Sequence, residues 1–463
     1  MPSGEPTKSA AALRRDKWLA RLNETAPSHG TVTHERSVAF GPALFVECFR
    51  LKNGLRVLVC EDHSAPVVAY HTWYRVGSRH ERVGKTGLAH LFEHLMFNET
   101  ENLPAGELDR RLEEAGAESN ASTWLDWTHY NIAVPKDRLP LVVRLEAERM
   151  RRLVLRDPQV TSEKEVVANE RRYRVDDDVE GAVNELLWST AFKQHSYRWP
   201  TIGWMDDIQN FNTEDCRSFY DAYYSPNNAT LVVTGDVTER RAMELVVKNY
   251  GHIPPSVLPL EDVIPEPPQN EERRLEVTKQ AATEKLIVGY HSPAFGDFDH
   301  APLSLLSEVL FGGRASRVYR RLVRELELAV DVHGFVGPFR DPSLFEVSAS
   351  ARDGKTAAEL LTVLDEELEK VRHSPVTTEE LERAKARLEL SLVGGLETAE
   401  GKASTIGFYD TVLGRPAEAF DRLQATLELT ASDLLRVARR YLNPASRTVI
   451  VVHPQAAAAE VAA

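Results

Sequence analysis

Cysteine is scarce in this chain: Cys48, Cys60 and Cys216 are the only three. An odd, widely spaced set cannot build a disulfide framework, which excludes the small disulfide-stapled secreted class and suits a reducing compartment. Their expected role is core packing. Long hydrophobic runs are missing as well. No stretch approaches the roughly 18 consecutive apolar residues that a membrane helix needs, so membrane insertion is not expected. The stretch from Met1 to Leu22 contains Arg14, Arg15, Asp16 and Lys17 and lacks the apolar run of a signal-peptide core, so the expected compartment is the cytoplasm. Positive charge is also in deficit. Against 70 acidic residues stand 56 basic ones, a formal charge of -14, which disfavours nucleic acid as a general partner because phosphate binding needs a basic surface. A basic peptide is a more comfortable substrate.

What is present is enough apolar residue for more than one core. At 463 residues the chain exceeds what a single hydrophobic core usually serves. From Ile253 to Asn270 it carries Pro254, Pro255, Pro259, Pro265, Pro267 and Pro268 with few periodic apolar positions, which reads as an extended linker. The ends of the two halves look alike. Tyr223-Tyr224-Ser225-Pro226-Asn227 runs into the apolar stretch Thr230 to Val233, and Tyr441-Leu442-Asn443-Pro444 runs into Thr448 to Val452. A duplicated domain follows. The expected division is an N-terminal extension over residues 1–35, a first domain over 36–252, the linker over 253–270 and a second, homologous domain over 271–463.

Local patterns fill in these halves. Asn53-Gly54 between Leu44 to Leu51 and Leu55 to Cys60 is a strong hairpin signal, and Val67 to Tyr74 reads as a further strand. Helices are expected over Leu88 to Met96, Ala105 to Ala115, Leu139 to Leu153 and Ser162 to Tyr173, with a strand near Thr128 to Val134. The second half shows strands near Leu275 to Val277 and Leu286 to Tyr290. Helices follow near Ala301 to Leu310, Thr356 to Val371 and Thr378 to Val393. The fold class is α+β, with each half a sandwich of helices on a sheet.

The chemistry concentrates in His90-Leu91-Phe92-Glu93-His94. The spacing i, i+3, i+4 puts His90, Glu93 and His94 on one side of a helix. Leu88, Leu91, Phe92, Leu95, Met96 and Phe97 make the rest apolar, so the polar trio is enclosed and needs partners. Zinc favours neutral imidazole nitrogen, and a catalytic site takes a third protein ligand while leaving one position for water. Glu93 lies where it can take that water's proton. The helix Ser162 to Tyr173 offers Glu163, Glu165 and Glu170. Glu163 and Glu170, two turns apart, share a face, so one can ligate while the other orients the ligands; a charged, solvated helix face is the bland alternative.

These residues resemble the pitrilysin, insulinase and mitochondrial processing peptidase family of inverted zincins, marked by a His-x-x-Glu-His helix and a later liganding Glu. Other segments carry the resemblance too: Gly87-Leu88-Ala89-His90, Asn120-Ala121-Ser122-Thr123, Asn228-Ala229 with Gly235-Asp236, and Gly312-Gly313-Arg314-Ala315-Ser316-Arg317. The resemblance implies two sandwich domains in a clam-shell arrangement and one zinc per chain held by His90, His94 and Glu170. It makes Glu93 the general base and Glu163 the second acidic residue. It implies that the segment Asn120 to Val134 supplies an edge strand for an extended substrate, with Asn120 and Ala121 nearest the scissile bond.

The second half lacks the motif: Ser304-Leu305-Leu306-Ser307-Glu308 stands where the histidine helix should be. In members that act alone, this half also donates an Arg and a Tyr, seven residues apart, that hold the substrate carbonyl. Alignment puts Val323 and Val330 there, with Arg324 one residue out of register. The resemblance is therefore to the zinc-bearing chain of two-subunit members, and the expected partner is a zinc-less paralogous subunit or a second copy of this chain. The rival reading is a catalytically silent scaffold subunit of the same family.

Overall fold

The computed structural model describes residues 10–261 and 263–455. Residues 1–9 of the expected extension, residue 262 of the linker and residues 456–463 at the end of the expected second domain lie outside the described residues. The first sheet contains β1 (Val32–Phe40), β2 (Leu44–Leu51), β3 (Arg56–Glu61), β4 (Val67–Tyr74), β5 (Glu118–Thr123), β6 (Thr128–Pro135) and β7 (Ala229–Gly235), in the order β1-β2-β3-β7-β4-β6-β5. The second contains β8 (Arg273–Lys279), β9 (Lys285–Ser292), β10 (Ala329–Val336), β11 (Ser343–Ala351) and β12 (Arg447–Pro454), in the order β10-β11-β9-β12-β8. Read from its far end, the second order repeats the last five strands of the first. In each sheet the corresponding pair, β3 with β7 and β8 with β12, is parallel, and the other pairings are antiparallel. The duplication expected from the two half-ends is thus written into the topology.

Each sheet buries one face under helices of its own half. In the first half, Val57, Val68, Tyr70 and Val233 meet Leu91, Phe92 and Leu95 of helix Leu88–Leu95, Leu145 of helix Leu139–Arg152 and Val246 of helix Glu239–Tyr250. In the second, Leu286, Val288 and Val347 meet Leu306, Leu364 and Val437 from helices His300–Phe311, Ala357–His373 and Ala431–Tyr441. The opposite faces are covered by exchange. Helix Ala399–Leu413 of the second half lays Ala403 and Ile406 on Leu58, Ala69, Trp73 and Val232 of the first sheet. Helix Val179–Ala191 of the first half lays Val183, Leu187 and Ala191 on Ile287, Leu344, Ile450 and Val452 of the second. Each Val, Leu or Ile among these contributes roughly 1.5–3 kcal/mol on full burial, so the exchanged helices weld the halves together.

Three differences from expectation concern the first half. β1 begins at Val32, inside the expected N-terminal extension, and pairs with β2 along its length. The helix expected over Ser162 to Tyr173 runs over Asp157–Arg171, with a proline in its first turn where no backbone N–H is needed, and continues as a π-helical turn over Arg172–Asp176. The edge strand expected over Asn120 to Val134 is β5 alone. β6 lies inside the sheet between β4 and β5, because its Tyr130 and Ile132 are core residues.

Candidate metal centre

Helix Leu88–Leu95 starts abruptly because its first turn is held from outside. Gly87 has φ 95, a left-handed conformation that favours glycine, and a Cβ there would collide with the Ile202 carbonyl. The buried Glu81 carboxyl accepts hydrogen bonds from the backbone N–H groups of Gly87 at 2.8 Å and Ala89 at 2.7 Å, satisfying two of the helix's orphan donors. Burial pushes the Glu81 carboxyl up to about 8, despite those two donors. On the far side the Tyr130 hydroxyl donates to the Phe92 carbonyl at 2.9 Å, and Phe92 stacks on Phe219 and Tyr220. The helix is therefore fixed at its start, middle and back before any ligand arrives.

On its remaining face, His90 and His94 meet Glu170 from helix Asp157–Arg171. His94 Nε2 lies 3.2 Å and His90 Nε2 3.6 Å from Glu170 Oε2. Ligand atoms of the three residues all lie within 4.8 Å of one another, and they form the one such group of metal-ligating side chains among the described residues. His90 is buried and its imidazole is pulled down to about 4 by that burial, so it is neutral, the ligating form. Burial also pulls His94 down, but the carboxylates of Glu170, Glu93 and Glu163 together more than offset it; the net shift is upward. The His94 imidazole beside Glu170 holds that carboxyl below its ordinary value. Even so, the approach is poorly aligned: Glu170 Oε2, which faces both Nε2 atoms, is a buried polar atom with no hydrogen-bond partner. Such an orphan calls for an occupant. Two imidazoles and a carboxylate with an unsatisfied oxygen fit zinc, which takes His₂Glu sets in catalytic sites.

Glu163 stands behind this trio. Its Oε2 lies 3.8 Å from His94 Nδ1, and its Oε1 accepts from Asn98 Nδ2 at 2.9 Å. Glu93 sits half-buried on the same helix face; burial raises its carboxyl above the ordinary value, and the Thr123 hydroxyl pulls the other way without completing a well-aligned hydrogen bond. Arg174, on the π-helical turn, pairs with Glu170 Oε1 at 3.1 Å. Sequence reasoning missed Glu81, Asn98 and Arg174. Only Arg174 had a local signal, its i, i+4 spacing from Glu170.

The family description Insulinase (Peptidase family M16) matches residues 56–203, and the description Peptidase M16 inactive domain matches residues 210–388. Zinc protease PqqE of Helicobacter pylori is 34% identical over 414 residues, 88% of this chain and 93% of that protein. The chain belongs to peptidase family M16. A zinc protease of Bacillus subtilis, YmxG, is 24% identical over 394 residues, 85% of this chain and 94% of that protein. A solved protease structure from Helicobacter pylori superimposes with a TM-score of 0.84 at 32% identity, covering 93% of this chain and 100% of that one. A Pseudomonas fluorescens structure described as a peptidase M16 inactive domain has a TM-score of 0.80 at 18% identity, covering 89% of this chain and 98% of that one, which shows the shared fold.

Against that family background, the second half of this M16 chain shows what stands in the place that corresponds to the candidate metal centre. Helix His300–Phe311 packs on helix Thr378–Gly395 as the histidine helix packs on the Glu170 helix. Glu380 and Arg387 have the spacing of Glu163 and Glu170. Arg387 forms an ion pair with Glu308, and Arg317 makes a bidentate pair with Glu380, both contacts 2.6 Å. An internal ion pair fills the equivalent place. Val323 is buried in the second core, and Val330 is 59% exposed on β10, an edge strand. Arg324 follows Val323 on a π-helical turn. Asn120 and Ala121 lie on β5, the free edge of the first sheet beside the histidine helix. Asn120 is exposed, with its side-chain oxygen accepting from the Ala121 N–H at 2.8 Å.

Three other histidines of the first half have structural work. His63 pairs with Asp236 at 2.6 Å on the surface. His80 Nδ1 accepts from the Gly77 N–H, and burial pulls it down to about 4. His71 is buried between the two halves. All three cysteines are free and buried, with thiols pushed up to about 11 or 12. Among the described residues no helix is long and apolar enough to cross a membrane.

Proposed function

We propose that this chain is the zinc-bearing subunit of a peptidase that hydrolyses extended or unfolded peptides. His90, His94 and Glu170 would hold one zinc, and the observation that carries the reading is the gathering of their ligand atoms within 4.8 Å of one another around Glu170 Oε2, a buried oxygen that faces both imidazole Nε2 atoms and has no hydrogen-bond partner. When bound, zinc would supply a Lewis acid for a water and for the peptide carbonyl. Glu93 takes the proton from the attacking water and returns it to the leaving nitrogen as the C–N bond breaks. Its raised affinity for protons, from burial, suits both transfers. Glu163, steadied by Asn98, orients His94. β5 offers a free row of backbone groups, to which a peptide adds as a further strand, with Asn120 and Ala121 alongside the scissile bond.

A partner is part of this reading. The cation that touches Glu170 is Arg174 of the first half. Val323 and Val330 of the second half carry no group that could hold a carbonyl oxygen, and one missing donor of that kind costs about a hundredfold or more in rate. The partner would be a zinc-less paralogue or a second copy of the chain. The buried cysteines fit a cytoplasmic setting. The intact trio weighs against a silent scaffold. The test is cleavage of an unstructured peptide by the zinc-loaded chain, alone and mixed with a zinc-less relative, with Glu93→Gln as control. The reading predicts weak activity alone, strong activity in the mixture and none with the variant. Full activity of the lone chain at high dilution would refute the partner requirement, and activity that survives Glu93→Gln would refute the chemistry.

A further inference from the structure

β5 is an edge strand whose one strand partner among the described residues is β6. Across that pair Asn120 faces Asn131 and Ser122 faces His129, and directly opposed side chains of an antiparallel pair lie on the same face. On that face, away from the histidine helix, Asn131 and His129 are gripped by a residue from the second half. Asn131 Nδ2 donates to Glu400 Oε1 at 2.7 Å. His71 Nε2 meets Glu400 Oε2 at 2.9 Å, and His71 Nδ1 meets His129 Nε2 at 3.0 Å. His71 and His129 are both buried, and His129 stacks on Trp73 at 3.9 Å between ring centres. Glu400 lies in the first turn of helix Ala399–Leu413, where the helix dipole favours a carboxylate. Burial would raise its carboxyl, but His71 and Asn131 hold it below the ordinary value. Lys402 to Asp62 at 2.9 Å and Asp410 to Arg56 at 2.6 Å fix the same helix further along the sheet.

We infer that Glu400 is a positioning residue: reaching across from the second half, it sets the height of the β5–β6 ribbon over Glu93 and so controls how tightly an added peptide strand is held. The inference rests on the proposed use of β5 as the substrate strand, and it gives the half without a metal site a part in substrate binding.

Two measurements test it. In the Glu93→Gln background, which leaves the peptide uncut, a fluorescein-labelled unstructured peptide is titrated into the zinc-loaded chain with and without Glu400→Ala. Loss of the clasp should weaken binding by about tenfold, equivalent to about 1.4 kcal/mol, with zinc content unchanged, and Glu400→Gln, which keeps one acceptor oxygen, should recover part of it. In the otherwise wild-type chain, amide hydrogen exchange should accelerate over residues 118–123 in Glu400→Ala and stay the same over residues 88–95. Should Glu400→Ala fail to fold, Asn131→Ala removes one limb of the clasp and carries the same expectations at smaller size. Equal peptide affinity with unchanged exchange in β5 would overturn the inference while leaving the peptidase reading intact. A Glu93→Gln chain that binds no peptide at all, by itself or with a zinc-less relative, would overturn both.

Discussion

Asp341 gives the fold a measurable acid-sensitive joint. It lies in the second half between β10 and β11, and its Oδ2 accepts from Arg79 Nε at 2.5 Å and lies 3.2 Å from His195 Nε2, both groups of the first half. The Arg79 side chain is only 4% exposed. Asp341→Asn leaves that guanidinium with Asp126 at 3.8 Å and Glu261 at 3.3 Å. Removing one partner of a buried pair costs roughly 3–5 kcal/mol when nothing replaces it, so the remaining carboxylates put this case near or below the lower figure. The titration gives a second route to the size. Burial alone would raise the Asp341 carboxyl, but His195 and Arg79 hold it at about 2, against an ordinary 3.8, and that shift corresponds to about 2 kcal/mol. A depressed carboxyl stabilises above its unfolded value and loses that stability as pH falls through the folded one. Urea unfolding should therefore find wild type more stable than Asp341→Asn by about 2–3 kcal/mol at pH 7. The gap should close between about pH 4 and pH 2. A gap that persists undiminished at pH 2, or none at pH 7, would refute the reasoning.

Other expectations follow from packing and burial. A Cβ at Gly407 would overlap Trp73 Nε1 where helix Ala399–Leu413 crosses the first sheet; Gly407→Ala gains about 1 kcal/mol of helix propensity but overpacks the joint at a cost of roughly 1–3 kcal/mol, so urea unfolding should show a net loss of stability, and a gain would contradict the close approach. Glu346 on β11, with the Asn184 side chain donating at 3.0 Å, is pushed up to about 7 by burial. A raised carboxyl loses stability as pH climbs from its unfolded to its folded value, so Glu346→Gln should gain on wild type between about pH 4.5 and 7, by at most about 3 kcal/mol. Parallel unfolding curves at several pH values check it. The three thiols should resist alkylation at pH 8 until urea unfolds the chain, which mass spectrometry can follow.

Much of the fold and of the site could be read from short-range patterns. Asn53-Gly54 marked the turn between β2 and β3, β4 matched the apolar run Val67 to Tyr74, and the helix carrying His90 and His94 stood out because five of its eight residues are apolar and flank a polar trio. What escaped were features made by distant partners. β1 is mostly exposed along its length and so lacks the alternation that signals a strand. The two exchanged helices are wedged against the other half's sheet, and in helix Ala399–Leu413 the polar residues Glu400, Lys402 and Asp410 find partners hundreds of positions away. Glu81 caps the histidine helix through a loop with no periodicity of its own, and nothing local distinguishes it from a surface acid.

The most direct test of the account is the zinc content of the purified chain after dialysis, compared with His90→Ala and Glu170→Ala and with Glu93→Gln. The trio as ligands predicts one zinc per wild-type chain, retention in Glu93→Gln and loss in both ligand variants. Equal zinc in all four proteins, or none in wild type under conditions of excess metal, would contradict it.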